Sequence, residues 1–246
     1  AVGLVIYIFL MKFESSLIKG TLIKRYKRFL ADVTLENGSV VTVHVANPGS
    51  MLELAKPGTK IWLEPNNNPK RKLKYSWKLI EIDNTFIGVD TNYANKVVKE
   101  ALDNKTIDIN FDKYKSEVKY GENSRIDFLL YFKKDPEMYL EVKSVTLQAP
   151  QSSLGYFPDT ISTRAHKHCR ELMHVLDRPS NLPQRAVMLY LVQHTGINQV
   201  SPATHIDPTY AQLVAEAKSL GVEFLAYNCK INQENILINQ ELNFIM

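Results

Sequence analysis

The amino-acid sequence predicts an α/β protein (α+β overall) in which a small all-β domain precedes a layered α/β domain. Up to about residue 90, short strand-like runs are separated by turn residues. Beyond that point, runs with helical spacing alternate with apolar runs that have the length of strands. A chain of 246 residues, of which 45% are hydrophobic and 23% charged, suits two ordinary globular domains and argues against a disordered or fibrous protein. We therefore expect domains at 11–90 and 91–246.

The first domain carries a clear β-hairpin signature. The Asn37-Gly38 pair joins two strand-like runs, and Val41, Val43 and Val45 alternate with more polar residues, as in a strand with one buried face. Five short strands in one small domain favour an OB-fold-like barrel, and an SH3-like barrel fits the same pattern. The predicted strands are 17–24, 29–35, 39–45, 60–64 and 77–82.

The second domain has the predicted order α-β-β-β-α-β-α-β, which indicates an α/β layered fold. Asp159 is the expected N-cap of its central helix. Gly221 is the expected C-cap of its last helix. The predicted helices are 92–103, 159–177 and 210–220, and the predicted strands are 117–120, 125–132, 138–147, 185–193 and 222–227.

The N-terminal ten residues are wholly apolar. They are too short to span a bilayer, which takes about twenty residues, and they lack the basic region and cleavage site of a signal peptide. We expect residues 1–10 to be a non-native or misassigned extension before Met11, with a buried strand as the alternative. No membrane association is predicted. The two cysteines are too few for a disulfide framework and favour a reducing, cytoplasmic location.

Basic charge is concentrated in the first domain. Residues 1–90 contain 13 Lys and Arg against 8 Asp and Glu, although the net charge of the whole chain is only +4. Such an excess predicts a surface for a polyanion, with a solvated basic face as the alternative. We expect Arg71, Lys72 and Lys74 to bind phosphates, next to Tyr75 and Trp77 as stacking surfaces, although Trp77 also suits a buried core.

The chemistry-bearing motif of the second domain is Asp127 with Glu141 and Lys143. Residues two apart on a strand share a face, so Glu141 and Lys143 project together, and pairing of the two strands would bring Asp127 beside them. Two neighbouring carboxylates favour Mg²⁺ or Mn²⁺, and Lys143 would assist the attacking water or stabilise phosphate charge. The alternative is a surface ion pair. The strand order is that of PD-(D/E)xK nucleases, with Glu117 as the better and Glu100 as the weaker candidate for a further acid.

A second polar cluster lies on the central helix. Thr163, Arg164, Lys167 and His168 form rows beside the apolar stripe, which suits contacts with phosphate oxygens. An exposed basic helix face with no partner is the alternative. The spacing of the histidines is not that of a zinc site.

Together these segments resemble the sugar fermentation stimulation protein A (SfsA) family. The resemblance runs in order from Met11 through most of the chain, and one departure is His166, where a glycine is expected. It implies an N-terminal OB-fold domain, a C-terminal PD-(D/E)xK nuclease-like domain, DNA binding and a regulatory role in sugar metabolism. The matching segments are 44–51, 117–121, 124–128, 141–147 and 157–172.

The predicted function is therefore that of a nucleic-acid-binding protein, with DNA favoured over RNA, that carries a Mg²⁺-dependent phosphodiesterase site. The alternative is a non-catalytic DNA-binding regulator that retains the nuclease fold. An enzyme of sugar metabolism finds no support, because the sequence has no P-loop or G-x-G-x-x-G motif. The sequence carries no signal for an oligomeric state.

Overall fold

The computed structural model describes residues 12–51, 53–120, 124–177 and 184–246. The predicted extension at 1–10 lies outside the described residues. The described chain folds into a β-barrel followed by a large mixed sheet that carries helices on both faces.

The first domain is a closed five-stranded barrel. Strands β1 to β4 pair in the order β3-β2-β1-β4, β5 pairs with β4, and the His44–Ser76 pair between β3 and β5 closes the barrel. This confirms the predicted OB-fold. A sixth strand, not predicted, extends the sheet beyond β5. The strands are β1 (Ile18–Tyr26), β2 (Leu30–Leu35), β3 (Val40–His44), β4 (Lys60–Pro65), β5 (Tyr75–Ile82) and β6 (Thr85–Gly88).

The barrel interior contains Trp77, which was predicted to be a stacking surface. Trp77 has no exposed surface, and its indole N–H donates to the Leu79 carbonyl oxygen. It therefore belongs to the barrel core and offers no stacking surface. Tyr75 is half-buried at the start of β5.

The second domain is built on a nine-stranded sheet of order β10-β11-β13-β15-β14-β12-β9-β8-β7. The predicted helix order is confirmed, and the sheet has four strands more than predicted. The strands are β7 (Lys113–Tyr120), β8 (Ser124–Tyr131), β9 (Met138–Val145), β10 (Leu147–Gln148), β11 (Leu154–Phe157), β12 (Arg185–Val192), β13 (Gln199–Pro202), β14 (Glu223–Ile231) and β15 (Ile236–Phe244), and the helices are α1 (Asn92–Asp103), α2 (Thr163–Leu176) and α3 (Pro208–Ser219).

The missed strands have a physical explanation. β10, β11 and β13 have four residues or fewer, too short to show a period, and β15 carries an exposed stretch of Asn, Gln and Glu instead of alternating apolar residues. The predicted last strand, 222–227, corresponds to β14. It is followed by β15, which pairs with β14 in antiparallel fashion with one β-bulge.

The two faces of the sheet are covered by different helices. Helix α1 packs against one face through Tyr93, Val97 and Leu102. Helices α2 and α3 pack together on the opposite face, with Leu172 and Val214 fully buried. Burial of both faces explains why β12 is apolar from Ala186 onward.

Main-chain hydrogen bonds join the barrel to the second domain. Gly88 N–H donates to the Gln193 carbonyl oxygen at 2.8 Å, and Thr195 N–H donates to the Phe86 carbonyl oxygen at 3.0 Å. Strand β6 thereby docks onto the segment that follows β12. The junction holds the barrel at a fixed place beside the sheet.

A search of the described residues for membrane-spanning segments found no helix that is long and apolar enough.

Candidate active site

The candidate site lies where strands β8 and β9 separate. Their main-chain pairing ends at Phe128 and Leu140. Beyond that point a side chain of β8, Asp127, accepts the next hydrogen bond from β9. One carboxylate oxygen of Asp127 accepts the Val142 N–H at 2.7 Å, and the other accepts the Asn95 amide at 2.6 Å. Helix α1 and strand β9 thus fix Asp127 from two sides.

Glu141 lies beside it, on the face of β9 that α2 covers. Only 2% of the surface of Glu141 is exposed. Its Oε1 atom is 2.7 Å from the Lys143 ammonium and is also hydrogen-bonded to the His168 ring at Nδ1. Its Oε2 atom is buried and has no hydrogen-bond partner within the described parts of the chain. A buried carboxylate oxygen without a partner is costly. Glu171 Oε2 is in the same state, and what distinguishes Glu141 as a candidate cation ligand is that a second carboxylate, Asp127, lies close enough to repel it.

His168 fixes the orientation of the Glu141 carboxylate. The Arg164 Nε–H donates to His168 Nε2 at 3.4 Å. The His168 Nδ1 atom contacts Glu141 Oε1 and lies 2.8 Å from the Lys143 ammonium, so the ring is held against both members of the ion pair. His168 and Lys143 together saturate Oε1, which leaves Oε2 free.

The electrostatics of the site depend on the closeness of the two acids. Burial, followed by repulsion from Glu141, raises the pKa of Asp127 to about 6. For Glu141, burial acts to raise the pKa, but the attraction of Lys143 and the hydrogen bond from His168 outweigh it and the pKa is lowered. At neutral pH the site therefore holds two anions near one cation.

These residues fit a divalent cation with oxygen ligands. A bound cation would give Glu141 Oε2 a partner. It would also stabilise the ionised form of Asp127, whose pKa is raised in its absence. Within the described ranges, no group of three or more Asp, Glu, His or Cys side chains converges on one point. Two carboxylates are nevertheless the usual protein share of a Mg²⁺ site, in which water and substrate phosphate supply the other ligands.

The raised pKa of Asp127 predicts a pH-dependent stability of the metal-free protein. A carboxyl whose pKa is raised by folding favours the folded state at low pH, and that contribution is lost as the pH rises through about 6. Because Asn does not titrate, we expect the unfolding free energy of Asp127→Asn to rise by about 2 kcal/mol relative to that of wild type as the pH goes from 4 to 7. Urea unfolding in EDTA measures this difference, and a difference that stays constant with pH would contradict the assignment.

A cavity of about 480 Å³ lies between the two domains, and on this side it is lined by Asn95, Val142 and Lys143, whereas Asp127 and Glu141 do not line it. Lys143 reaches it from the sheet, Arg164 from the start of α2 and Arg28 from the barrel. Asp159 is the one carboxylate among the described lining residues, and it accepts the Met51 N–H at 3.0 Å. The charged residues of the lining are therefore three cations and one carboxylate, and this excess of positive charge suits an anionic substrate.

The structure brings some predicted phosphate contacts to this cavity and not others. Thr163 and Arg164 line it. Lys167 is exposed, does not line it, and lies 3.6 Å from Glu171. His168 is 6% exposed and has partners at both ring nitrogens, so its role is revised from contacting phosphate to holding Glu141.

The remaining predicted residues lie elsewhere. Glu117 is exposed on β7 and takes a positive φ of 55°, and it forms no three-residue ligand group with Asp127 and Glu141 in the described chain. Its role as a further metal ligand stays a prediction. Arg71, Lys72 and Lys74 are exposed on the β4–β5 loop, and none of them lines the cavity. Their phosphate-binding role stays a prediction.

Sequence reasoning missed the inter-domain wall of the cavity. Asp159 was predicted as the N-cap of α2, but Ser162 has that role and accepts the Ala165 N–H. Asp159 instead holds the loop before Met51, where Gly49 lies so close that an added Cβ would be 2.5 Å from its carboxylate. Asn95, which holds Asp127, was also missed. Contacts between residues this far apart in the chain have no signal in local spacing.

Comparison with known proteins identifies relatives for the whole chain. A model described as "Sugar fermentation stimulation protein RE domain" matches residues 92–235, and one described as "SfsA N-terminal OB domain" matches residues 23–89. A "Sugar fermentation stimulation protein homolog" of Pseudoalteromonas atlantica is 49% identical over 96% of this chain and 100% of its own length. The homolog of Shewanella frigidimarina is 47% identical over 93% of this chain and 97% of its own.

A solved structure shares the fold. The structure of Pyrococcus furiosus SfsA in complex with Ca²⁺ matches with a TM-score of 0.83 and 24% identity, over 96% of this chain and 99% of that one.

Proposed function

The chain belongs to the sugar fermentation stimulation protein (SfsA) family, and from that premise we propose that it is a DNA-binding protein with a Mg²⁺-dependent phosphodiesterase site. The observation that carries the proposal is the free, buried Oε2 of Glu141 next to Asp127, with Lys143 facing the cavity. The Ca²⁺ bound by Pyrococcus furiosus SfsA supports it, because Ca²⁺ and Mg²⁺ both take carboxylate oxygens.

Each residue of the site has a distinct role in the proposed reaction. Asp127 and Glu141 would hold the cation, which supplies Lewis-acid stabilisation of the phosphate when bound. Asn95 and His168 keep the two carboxylates in place from outside. The Lys143 ammonium stands between Glu141 and the cavity, where it can hold a phosphate oxygen or orient the attacking water.

The cavity wall would place the DNA. The Arg164 guanidinium can donate to a phosphate next to the scissile one, since Arg pairs well with phosphate. Thr163 lies beside it at the first turn of α2, where main-chain N–H groups favour an anion. We also propose a cytoplasmic location, in keeping with the free and buried Cys169 and Cys229.

A cleavage assay tests the proposal. Labelled DNA is incubated with wild type in Mg²⁺, in Mn²⁺ and in EDTA, alongside Asp127→Ala and the control Asp135→Asn, which changes an exposed carboxylate. We expect cleavage by wild type and the control that requires a divalent cation, and none by Asp127→Ala. No cleavage by wild type, or equal cleavage by Asp127→Ala, would reject the phosphodiesterase.

The second candidate is a DNA-binding regulator without catalysis. The observation that favours it is the exposed basic loop of Arg71, Lys72 and Lys74, which lies apart from the cavity. DNA binding without cleavage in the same assay would select this alternative.

If this basic loop binds phosphates, its charges will govern the salt dependence of DNA affinity. Replacing Arg71, Lys72 and Lys74 by alanine is expected to weaken binding and to reduce the slope of log affinity against log salt by about 3. Fluorescence anisotropy at several salt concentrations measures the slope. The matched control removes three exposed lysines of the second domain, Lys133, Lys134 and Lys218. An equal slope change in both triple variants would argue against a specific role for the loop.

A further inference from the structure

The turn between β1 and β2 is held in an unfavourable backbone conformation beside the cavity. Lys27 has a φ of 47° and Arg28 a φ of 62°, and neither is the glycine or asparagine that usually occupies such positions. Non-glycine residues in this region are kept where the surrounding structure imposes them, and such positions cluster at ligand sites. The strain points to a role for these side chains.

Arg25 is the residue that imposes the turn. Its guanidinium donates to the Arg28 carbonyl oxygen at 2.7 Å through Nη2 and at 3.1 Å through Nε. The same group donates to the carbonyl oxygens of Asn47, Gly49 and Ser50. That loop is itself held by Asp159 of the second domain. The turn is thus fixed with respect to both domains.

The Arg28 side chain is available to a ligand. It lines the cavity with Lys143 and Arg164, and in the described parts of the chain its guanidinium has no hydrogen bond or ion pair to another side chain. Three cations line this one cavity, from the barrel, from the sheet and from α2, which suits a ligand with more than one phosphate.

The next residue adds an aromatic ring. Phe29 is 43% exposed, although its main chain is fixed by the Val45 N–H, which donates to the Phe29 carbonyl oxygen at 2.9 Å. An exposed ring beside a free arginine is the combination that binds unpaired bases, because the ring stacks on a base while the cation holds the backbone.

We propose that the cavity takes one nucleotide of a single strand of DNA, facing Lys143, with Arg28 holding a phosphate. Phe29 follows Arg28 in the turn and does not line the cavity, and it would stack on a neighbouring base outside the cavity. A cavity of about 480 Å³ has the size that holds one small ligand, such as a nucleotide. A base-paired duplex does not enter a space of that size. The proposal rests on the proposed function for its placement of the scissile phosphate.

The test is DNA binding by the full chain, measured by anisotropy in EDTA so that no cleavage intervenes. The probes are a labelled single strand of about 12 nucleotides and a blunt duplex of the same sequence. We expect the single strand to bind at least ten-fold more tightly. Phe29→Ala should weaken that binding about five-fold or more, whereas Val40→Ala, which alters an exposed side chain on the neighbouring hairpin, should not.

Arg28→Gly separates a ligand-binding role from a structural one. Glycine relieves the backbone strain, so the variant should unfold at an equal or higher urea concentration while binding the single strand more weakly and with a salt slope smaller by about 0.7. Equal or tighter binding of the duplex, or unchanged binding by both variants, would overturn the proposal. Because no cleavage is measured, the outcome is independent of the phosphodiesterase assay.

Discussion

Lys143→Ala is expected to lower the rate of DNA cleavage by about two to four orders of magnitude, the range typical of lost proton-transfer or charge stabilisation. Of the described residues that line the cavity, Lys143 is the one whose ammonium group also contacts Glu141. Its loss leaves the developing phosphate charge without that partner. The carboxylates and Asn95 remain, so the cation site should persist.

Single-turnover kinetics on pre-bound DNA is the appropriate measurement, since it separates the chemical step from binding. Lys218→Ala, which changes an exposed lysine on α3, is the matched control. Circular dichroism verifies that both variants are folded. A Lys143→Ala rate within a few-fold of wild type would show that Lys143 does not take part in the chemistry.

Lys78→Ala is expected to destabilise the protein by about 3–5 kcal/mol, because it leaves two buried carboxylates without their cation. The Lys78 ammonium lies 2.7 Å from Asp90 and 3.2 Å from Glu64, and all three residues are buried. It also lies 4.4 Å from the centre of the Tyr93 ring on α1. The cluster therefore joins the barrel to the first helix of the second domain.

Thermal unfolding should show the loss as a fall in Tm of roughly 6 to 20 °C for a chain of this size. The control is Lys60→Ala, which breaks a pair with Glu81 in the same barrel; the Lys60 side chain is 43% exposed, so the loss should be less than about 1 kcal/mol. Adding Glu64→Gln and Asp90→Asn to Lys78→Ala should recover part of the stability. If it does not, the loss comes from packing and not from uncompensated charge.

The sequence was sufficient to predict the parts of the site that local pattern determines. Glu141 and Lys143 share a face because they are two apart on one strand, and the antiparallel pairing of β8 with β9 brings Asp127 to them. Helix α1 has the predicted bounds, since its apolar residues keep helical spacing throughout.

What the sequence could not predict depends on contacts between distant segments. His168 contacts Glu141 of β9, and Asp159 contacts Met51 of the barrel, which is more than 100 residues away in the chain. The strained turn at Arg28 is equally hidden, because Lys-Arg is not a turn signal and the conformation is imposed by Arg25. The short strands β10, β11 and β13 are stabilised by hydrogen bonds to neighbouring strands of the sheet and have no sequence period of their own.

The central claim is that Asp127 and Glu141 hold a divalent cation, and calorimetric titration of Mn²⁺ into the metal-free protein tests it most directly. The account predicts one ion per chain for wild type and loss of that binding in Glu141→Gln, with Glu216→Gln, which changes an exposed carboxylate on α3, as a control that keeps it. Binding should also weaken as the pH falls through about 6, where Asp127 takes up its proton. Absence of Mn²⁺ binding by wild type, or unchanged binding by Glu141→Gln, would contradict the account.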